Sequence, residues 1–324
     1  MFCFLGKGAT AMFGNRIVRG AADMLLTLLA VSMLSFLLMR ISPVDPAEAF
    51  AIRNTMNPSD DMIAKLRHEL GLDGSLLMQY VTWLTDAIRL DFGKSLMNGK
   101  PVFDEFAATI PFTLRIVALS AVLQALGAVG LSCLGYWLRD RWAGFILRVL
   151  MIAGVSIPAF YLAAVYLDVV AVKLRWIAVA GGQGMMNVWS PALCLALPMA
   201  AFYGRLLTTM LVKEMGEDYV MYARCQGLKE NYILFRHGLP HALLALLPNF
   251  MQSIGLTVAG AAVIEQIFSV PGIGNVIITS VINRDAPMIH FSILLLAAVF
   301  MLTNRISSAV RLLLKREPSR GNWS

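Results

Sequence analysis

Side chains able to act as metal ligands, nucleophiles or phosphate cradles are few in this 324-residue chain, and their spacing argues against catalysis. His237 and His241 stand four apart, a spacing that on a helix would put two ligands on one face. Gly238-Leu239-Pro240 between them is expected to break such a helix, and no Glu supplies a hydrolytic base. The pair therefore reads as loop and helix histidines facing solvent or a partner. Gly93-Lys94-Ser95 ends like a phosphate-binding loop, but Ile88 stands where the first glycine must be. Gly181-Gly182-x-Gly184 follows an apolar run and reads as a turn, not a dinucleotide fingerprint. Cys3, Cys133, Cys194 and Cys225 form no C-x-x-C pair, and there is no G-x-S-x-G elbow. His68 and His290 are isolated, and the 19 methionines read as packing or lipid-facing residues. The expectation is no catalytic residue, no metal site and no cofactor.

The elements that would have to position any function are apolar helices. Hydrophobic residues make up 58% of the chain and charged residues 15%, with a mean hydropathy of +0.69, whereas soluble domains are roughly a quarter charged. The fold class expected is all-α, a polytopic membrane protein. A bilayer core about 30 Å thick needs about 20 helical residues. Six stretches meet this requirement: 21–40, 112–136, 149–172, 191–212, 242–264 and 290–314. Lys7, Arg16 and Arg19 precede the first, but Arg40-Ile41-Ser42-Pro43-Val44-Asp45 lacks a small-x-small cleavage pattern, so that span reads as a retained anchor. The net charge of +7 gathers beside the spans rather than in a patch for nucleic acid. With segment 1–20 inside, Arg139, Arg141, Arg148, the 213–241 loop and the Arg311, Lys315, Arg316 and Arg320 group fall inside too. Both termini, including the 315–324 tail, are then cytoplasmic, and the 41–111 segment lies outside with shorter loops near 173–190 and 265–289.

Two extramembrane segments are long enough to fold. Pro58-Ser59-Asp60-Asp61 opens a helical pattern through Met62, Leu66 and Leu70 that Gly71 would end, and Leu76, Leu77, Tyr80, Val81 and Leu84 give a second amphipathic face. The 41–111 segment thus reads as a small helical outer domain ahead of a transmembrane domain over 112–314. In the 213–241 loop, Val220, Tyr222, Ala223, Leu228, Ile233 and Leu234 alternate with charges, and Gly227 separates two short helices. A helix, a turn and a second helix make a wedge suited to a groove on a cytoplasmic motor: Ala223 permits close approach, Gly227 the bend, and Asp218 and Arg224 fix register.

The run Glu217-Asp218-Tyr219-Val220-Met221-Tyr222-Ala223-Arg224-Cys225-Gln226-Gly227-Leu228-Lys229, with Ile233, His237, Leu239 and Pro240 after it, resembles the coupling loop, or EAA motif, of permease subunits in ATP-binding-cassette importers. Leu70-Gly71-Leu72-Asp73, Gln79-Tyr80, Trp83-Leu84, Asp91-Phe92-Gly93 with Ser95, and Pro101-Val102 are similar to the outer loop of the dipeptide, oligopeptide and nickel permeases. Ile264-Glu265-Gln266-Ile267-Phe268-Ser269-Val270-Pro271-Gly272-Ile273-Gly274, with Arg284-Asp285-x-Pro287, is similar to that family's last outer loop. Matching features run from residue 16 to about 314. The resemblance implies ATPase coupling through Asp218, Tyr219, Ala223, Arg224, Gly227 and Leu228. It also implies a second permease subunit, taken as a different chain, two cytoplasmic ATPase subunits and an extracytoplasmic solute-binding protein, at the bacterial inner membrane. The cargo implied is a small peptide or nickel, including metal–metallophore chelates of the opine type.

Several residues carry two readings. Asn249, Ser253, Thr257 and Gly260 recur at four, four and three, with Gln252 beside them, and share one helical stripe. The stripe either lines the path of a polar solute or lets helices pack closely; pathway lining is preferred because the span directly follows the wedge. Glu265, Pro271, Gly272, Arg284 and Asp285 flank an outer turn that either meets the binding protein and closes an outer gate or is folded by its own ion pair. Asp168 and Arg205 lie toward span ends, where anchoring is the simpler reading. Ser156-Ile157-Pro158 is expected to kink the third span. The function expected is transport, with ATP hydrolysis by partners moving the spans as levers. The alternative is an ion-coupled secondary transporter acting without an ATPase, for which no inverted repeat or mid-membrane acid on a broken helix is evident; an intramembrane enzyme would lack both nucleophile and base.

Overall fold

The computed structural model describes residues 5–41, 47, 48, 51, 59–69, 73–176 and 186–315. Gly181-Gly182-x-Gly184, Leu70-Gly71-Leu72, Val44-Asp45 and Cys3 lie outside them, as does the tail from 316. Among the described residues the α-helices are, in chain order, α1 Leu5–Ile41, α2 Asp60–Glu69, α3 Leu76–Ile88, α4 Val102–Trp137, α5 Trp142–Ser156, α6 Ala159–Tyr166, α7 Met186–Glu214, α8 Asp218–Cys225, α9 Glu230–Ile233, α10 Leu239–Ile267, α11 Ile273–Ile282 and α12 Ala286–Lys315. Among the described residues the only β pairing is one isolated antiparallel bridge between Lys94 and Pro101.

Among the described residues five helical segments are long and apolar enough to cross a membrane: 20–41, 102–137, 188–214, 230–267 and 286–314. A sixth crossing results if α5 and the helix over 159–173 count as one span, although they meet at 95°. The cause is Pro158, which has no N–H to donate and drives its predecessor out of the helical region. Ile157 sits at φ −85° and ψ 120°, α5 ends at Ser156, and Pro158 becomes the N-cap of α6. The kink expected in the third span is thus a full break.

The chain forms two compact units, one of residues 1–108 with 276–305 and one of 109–275 with 306–324. In the first, α1 packs on α3 and the start of α12: Ser32 Oγ lies 2.7 Å from the Tyr80 hydroxyl and Ser35 Oγ 2.8 Å from His290 Nδ1. Ser75 caps α3, its hydroxyl accepting the Met78 N–H at 3.4 Å. Beyond α3, Asp91 Oδ1 accepts the Gly93 N–H at 2.9 Å in an Asx turn, with Gly93 at φ +81° where a side chain would be strained. The Ser95 hydroxyl then donates to Asp285 at 2.6 Å. The Asp-Phe-Gly-x-Ser string therefore ties down the end of the outer helical region.

In the second unit, Leu207, Leu211, Met215, Val220, Ile233 and Leu234 form one buried cluster, and Ile116, Ala163, Cys194, Leu195, Ala261 and Ile264 belong to another. Helices α4 and α7 approach through small residues. A Cβ added at Gly127 or Gly204 would stand 2.8 Å from the Cβ of Ala200 or Leu131. Such contacts suit a lipid solvent, where apolar surface alone gives helices no drive to associate.

Candidate functional site

The wedge is built from the end of α7 through α9. Helix α8 closes at Gln226-Gly227-Leu228, where the Gly227 N–H donates to Arg224 O at 2.9 Å and the Leu228 N–H to Ala223 O at 3.2 Å. This is a Schellman closure, and Gly227 at φ +81° satisfies its left-handed position. Across the turn, Arg224 makes two bonds to Glu230, Nε to Oε2 at 3.0 Å and Nη2 to Oε1 at 2.7 Å. The Tyr136 hydroxyl of α4 donates to the same carboxylate. The Glu230 carboxylate raises the pKa of Arg224, so the planar two-point pair stays charged.

Val220 and Ala223 are buried in the cluster formed with Leu211, Met215, Ile233 and Leu234. Ala223 therefore packs against its own chain, and the Arg224 head is held by Glu230. The residues left outward are Met221 and Tyr222, at 66% and 68% exposure, with Leu228 and Tyr232 beside them in sequence order and Asp218 exposed at the helix start. The Tyr219 hydroxyl donates to Glu214 at 2.9 Å, and the same carboxylate oxygen lies 3.1 Å from His241 Nδ1. Burial, then the Glu214 carboxylate, raises the Tyr219 pKa and keeps the phenol protonated.

Gly238-Leu239-Pro240 does not break the chain, which corrects the sequence expectation. Helix α9 passes through a π turn over Leu234–Gly238 into α10, and the segment 230–267 is continuously helical. Pro240 falls in the first turn of α10, and the widened turn ahead of it relieves the clash its ring would make in a regular helix.

The polar stripe on α10 divides. Asn249 and Gln252 are exposed, while Ser253 and Thr257 are buried. The Ser253 hydroxyl donates to Phe250 O at 2.8 Å and the Thr257 hydroxyl to Ser253 O at 3.0 Å. The Tyr203 hydroxyl donates to Asn249 O at 3.2 Å.

At the far end of α10, Glu265 is fully buried. Its Oε1 accepts from the Thr113 hydroxyl at 2.6 Å and its Oε2 from the Gly274 N–H at 2.7 Å, while Thr113 Oγ1 accepts the Ile273 N–H at 2.8 Å. Glu265 and Thr113 thus cap the start of α11 from two other helices. Gly272 and Gly274 are required by proximity. A Cβ at the first would overlap the Glu265 carboxyl and one at the second the Ala262 backbone. Pro271 is exposed at the tip. In the other unit, Asp285 is buried and accepts from the Ser95 hydroxyl and, at 3.3 Å, the Met97 N–H, whereas Arg284 is exposed at φ +53°. Among the described residues no ion pair joins Arg284 to Asp285, and within its own unit each acid is held by neutral donors.

Asp168 and Lys173 do pair, at 2.7 Å, because both lie in a π-helical turn over Leu167–Lys173, whose wider pitch brings residues five apart onto one face. Arg205 is exposed on α7. Sequence reasoning did not find Glu230, Tyr136 or Thr113. A signal existed for the first, an acid six residues after Arg224 across a glycine; the other two come from distant helices and left none.

Helices long and apolar enough to cross a membrane, with a wedge of two short helices at the ends of two of them, suit the membrane component of a larger transport machine. Residues 127–319 match the family model described as binding-protein-dependent transport system inner membrane component, and residues 15–117 match the model of that component's N-terminal region. The chain belongs to this family. It is 30% identical over 294 residues to the glutathione transport system permease protein GsiC of Escherichia coli K12 and of Shigella dysenteriae serotype 1, covering 90% of this chain and 94% of each relative. The same protein of Salmonella choleraesuis matches with the same identity and coverage. The chain is accordingly a multi-pass inner-membrane permease subunit of an ATP-binding-cassette importer. It forms the translocation pathway and is not itself an enzyme; hydrolysis and solute capture belong to ATPase and solute-binding partners.

Proposed function

We propose that this subunit passes a short peptide of the glutathione class and is driven through the 213–241 wedge, paired with a second, different permease chain. Its termini face the cytoplasm, two ATPase subunits seat on Met221, Tyr222 and their neighbours, and the solute-binding protein docks on the opposite side. The observation that carries this reading is the unbroken helix over 230–267. At about 1.5 Å per residue it is a rod with the wedge turn at one end, Asn249 and Gln252 along its length, and the Glu265 cap at the other. Force applied at the wedge then reaches the polar path and the outer turn along one continuous helical segment, which includes the π turn at Leu234–Gly238 and Pro248. Ala223, Arg224, Gly227 and Leu228 act by shaping the turn, Asp218 and Tyr219 by fixing its seat. Glu265, Pro271, Gly272, Arg284 and Asp285 serve the outer gate, with Ser253 and Thr257 supporting the helix behind the path.

The peptide cargo is supported by the relatives' glutathione transport. Met221→Asp with Tyr222→Ala leaves membrane insertion intact and removes ATPase subunits from the purified complex; undiminished co-purification would dismiss the wedge as the seat. For cargo, vesicles holding the whole complex take up labelled glutathione in preference to a nickel chelate. The reverse preference would assign the subunit to metal uptake.

A further inference from the structure

A cleft of about 760 Å³ lies wholly within the first unit, and none of the coupling, pathway or outer-turn residues lines it. Its walls include Phe36 and Arg40 from the last turns of the first span, Trp83 and Asp86 from α3, Asp91 from the turn after α3, and His290 from the first turns of the last span. Two span ends meeting at one cleft place it at the membrane–water boundary, whichever way the chain is inserted.

We propose that this cleft holds the headgroup of a zwitterionic phospholipid, phosphate on the Arg40 side and ammonium on the Asp86 and Asp91 side. The charges fit. The Arg40 guanidinium stands 5.2 Å from the Phe36 ring centre, while neither Asp86 nor Asp91 is in an ion pair among the described residues. Phe36, Trp83, Phe92 and His290 line the cleft, with Trp83 and His290 4.0 Å apart between ring centres; Phe36 and Trp83 each pack on Tyr80, at 5.4 and 6.2 Å. Aromatic faces attract an ammonium, and Trp is favoured at the interface. His290 is 94% buried by residue area, its exposure being 6%; Nδ1 meets Ser35, and Nε2 has no hydrogen-bond partner among the described residues.

Two features select a lipid over a free zwitterion such as a peptide. Helix α3 has no fully buried residue, and Leu77 and Ile88 are 75% and 76% exposed, so part of its apolar surface finds no cover among the described residues and suits a helix lying in the interface. Exposed Leu34, Leu38 and Ile41 continue along α1 beside the cleft, where acyl chains would lie.

The test is native mass spectrometry of the complex, purified with its partner subunits, after delipidation and addition of equal phosphatidylethanolamine and phosphatidylglycerol. The unsubstituted complex retains phosphatidylethanolamine about tenfold over phosphatidylglycerol, the ratio that one charge-assisted contact supplies. Asp86→Asn with Asp91→Asn removes the preference, and Arg40→Gln lowers retention of both lipids. Equal retention in the unsubstituted complex, which needs no variant, would overturn the proposal. So would a preference untouched by the substitutions, or displacement of the lipid by a millimolar tripeptide, which would make the cleft a solute site.

Discussion

The wedge turn and the outer turn are built alike and stabilised differently. Each joins two helices through glycine and is closed by one glutamate. At the wedge, Glu230 pairs with the Arg224 guanidinium, with the two side chains 43% and 41% exposed. At the outer turn, Glu265 is fully buried and held by the Thr113 hydroxyl and backbone N–H groups. An exposed ion pair contributes little and adapts to a partner, whereas a buried acid fixes its surroundings because any donor it leaves is stranded. The comparison separates an exposed, adaptable turn, as the proposed ATPase seat requires, from a buried joint that keeps its shape.

The sharpest way to break the comparison is Glu265→Leu. It strands the Thr113 hydroxyl and the Gly274 N–H at roughly 1–3 kcal/mol each, and assembled protein falls several-fold in detergent extracts. Glu265→Gln, which still accepts N–H bonds, restores much of that amount; equal loss in both would mean that the carboxyl serves no N–H donor. Next comes Thr113→Val, which orphans the Ile273 N–H and lowers thermal stability by about 1–3 kcal/mol, read as a melting shift of the purified complex. Gly227→Ala costs about 1–2 kcal/mol through its left-handed backbone, and ATPase co-purification weakens without being abolished. Smallest is the Arg224→Gln and Glu230→Gln double-mutant cycle. Its coupling is about 0.2–1 kcal/mol and shrinks in high salt; a salt-independent coupling would place this pair with the buried kind.

The spans were legible in the sequence because runs of about 20 apolar residues have few other uses in a folded chain. The outer helix over Leu76–Ile88 and the glycine closure at Gly227 were legible for a similar reason, since capping and left-handed turns depend on local residue types. Pro158 and Pro240 were read with the same rule and ended differently. One breaks a helix outright, while the other is absorbed by a π turn whose existence depends on packing of Leu234 and Gly238 that no local pattern announces. The helix–turn–helix was found, but its orientation was not: Ala223 and Arg224 invite a partner by type, yet Ala223 is buried in a cluster with Ile233 and the exposed Arg224 head is engaged by Glu230. Thr113 and Glu265 stand 152 residues apart, beyond any local pattern.

The most direct test is uptake of labelled peptide by sealed vesicles holding the purified permease pair and binding protein, with ATPase subunits present or omitted and with or without an ion gradient. Accumulation that requires both ATP and the ATPase subunits, and ignores the gradient, is the result predicted. Accumulation driven by the gradient with no ATPase present would contradict it.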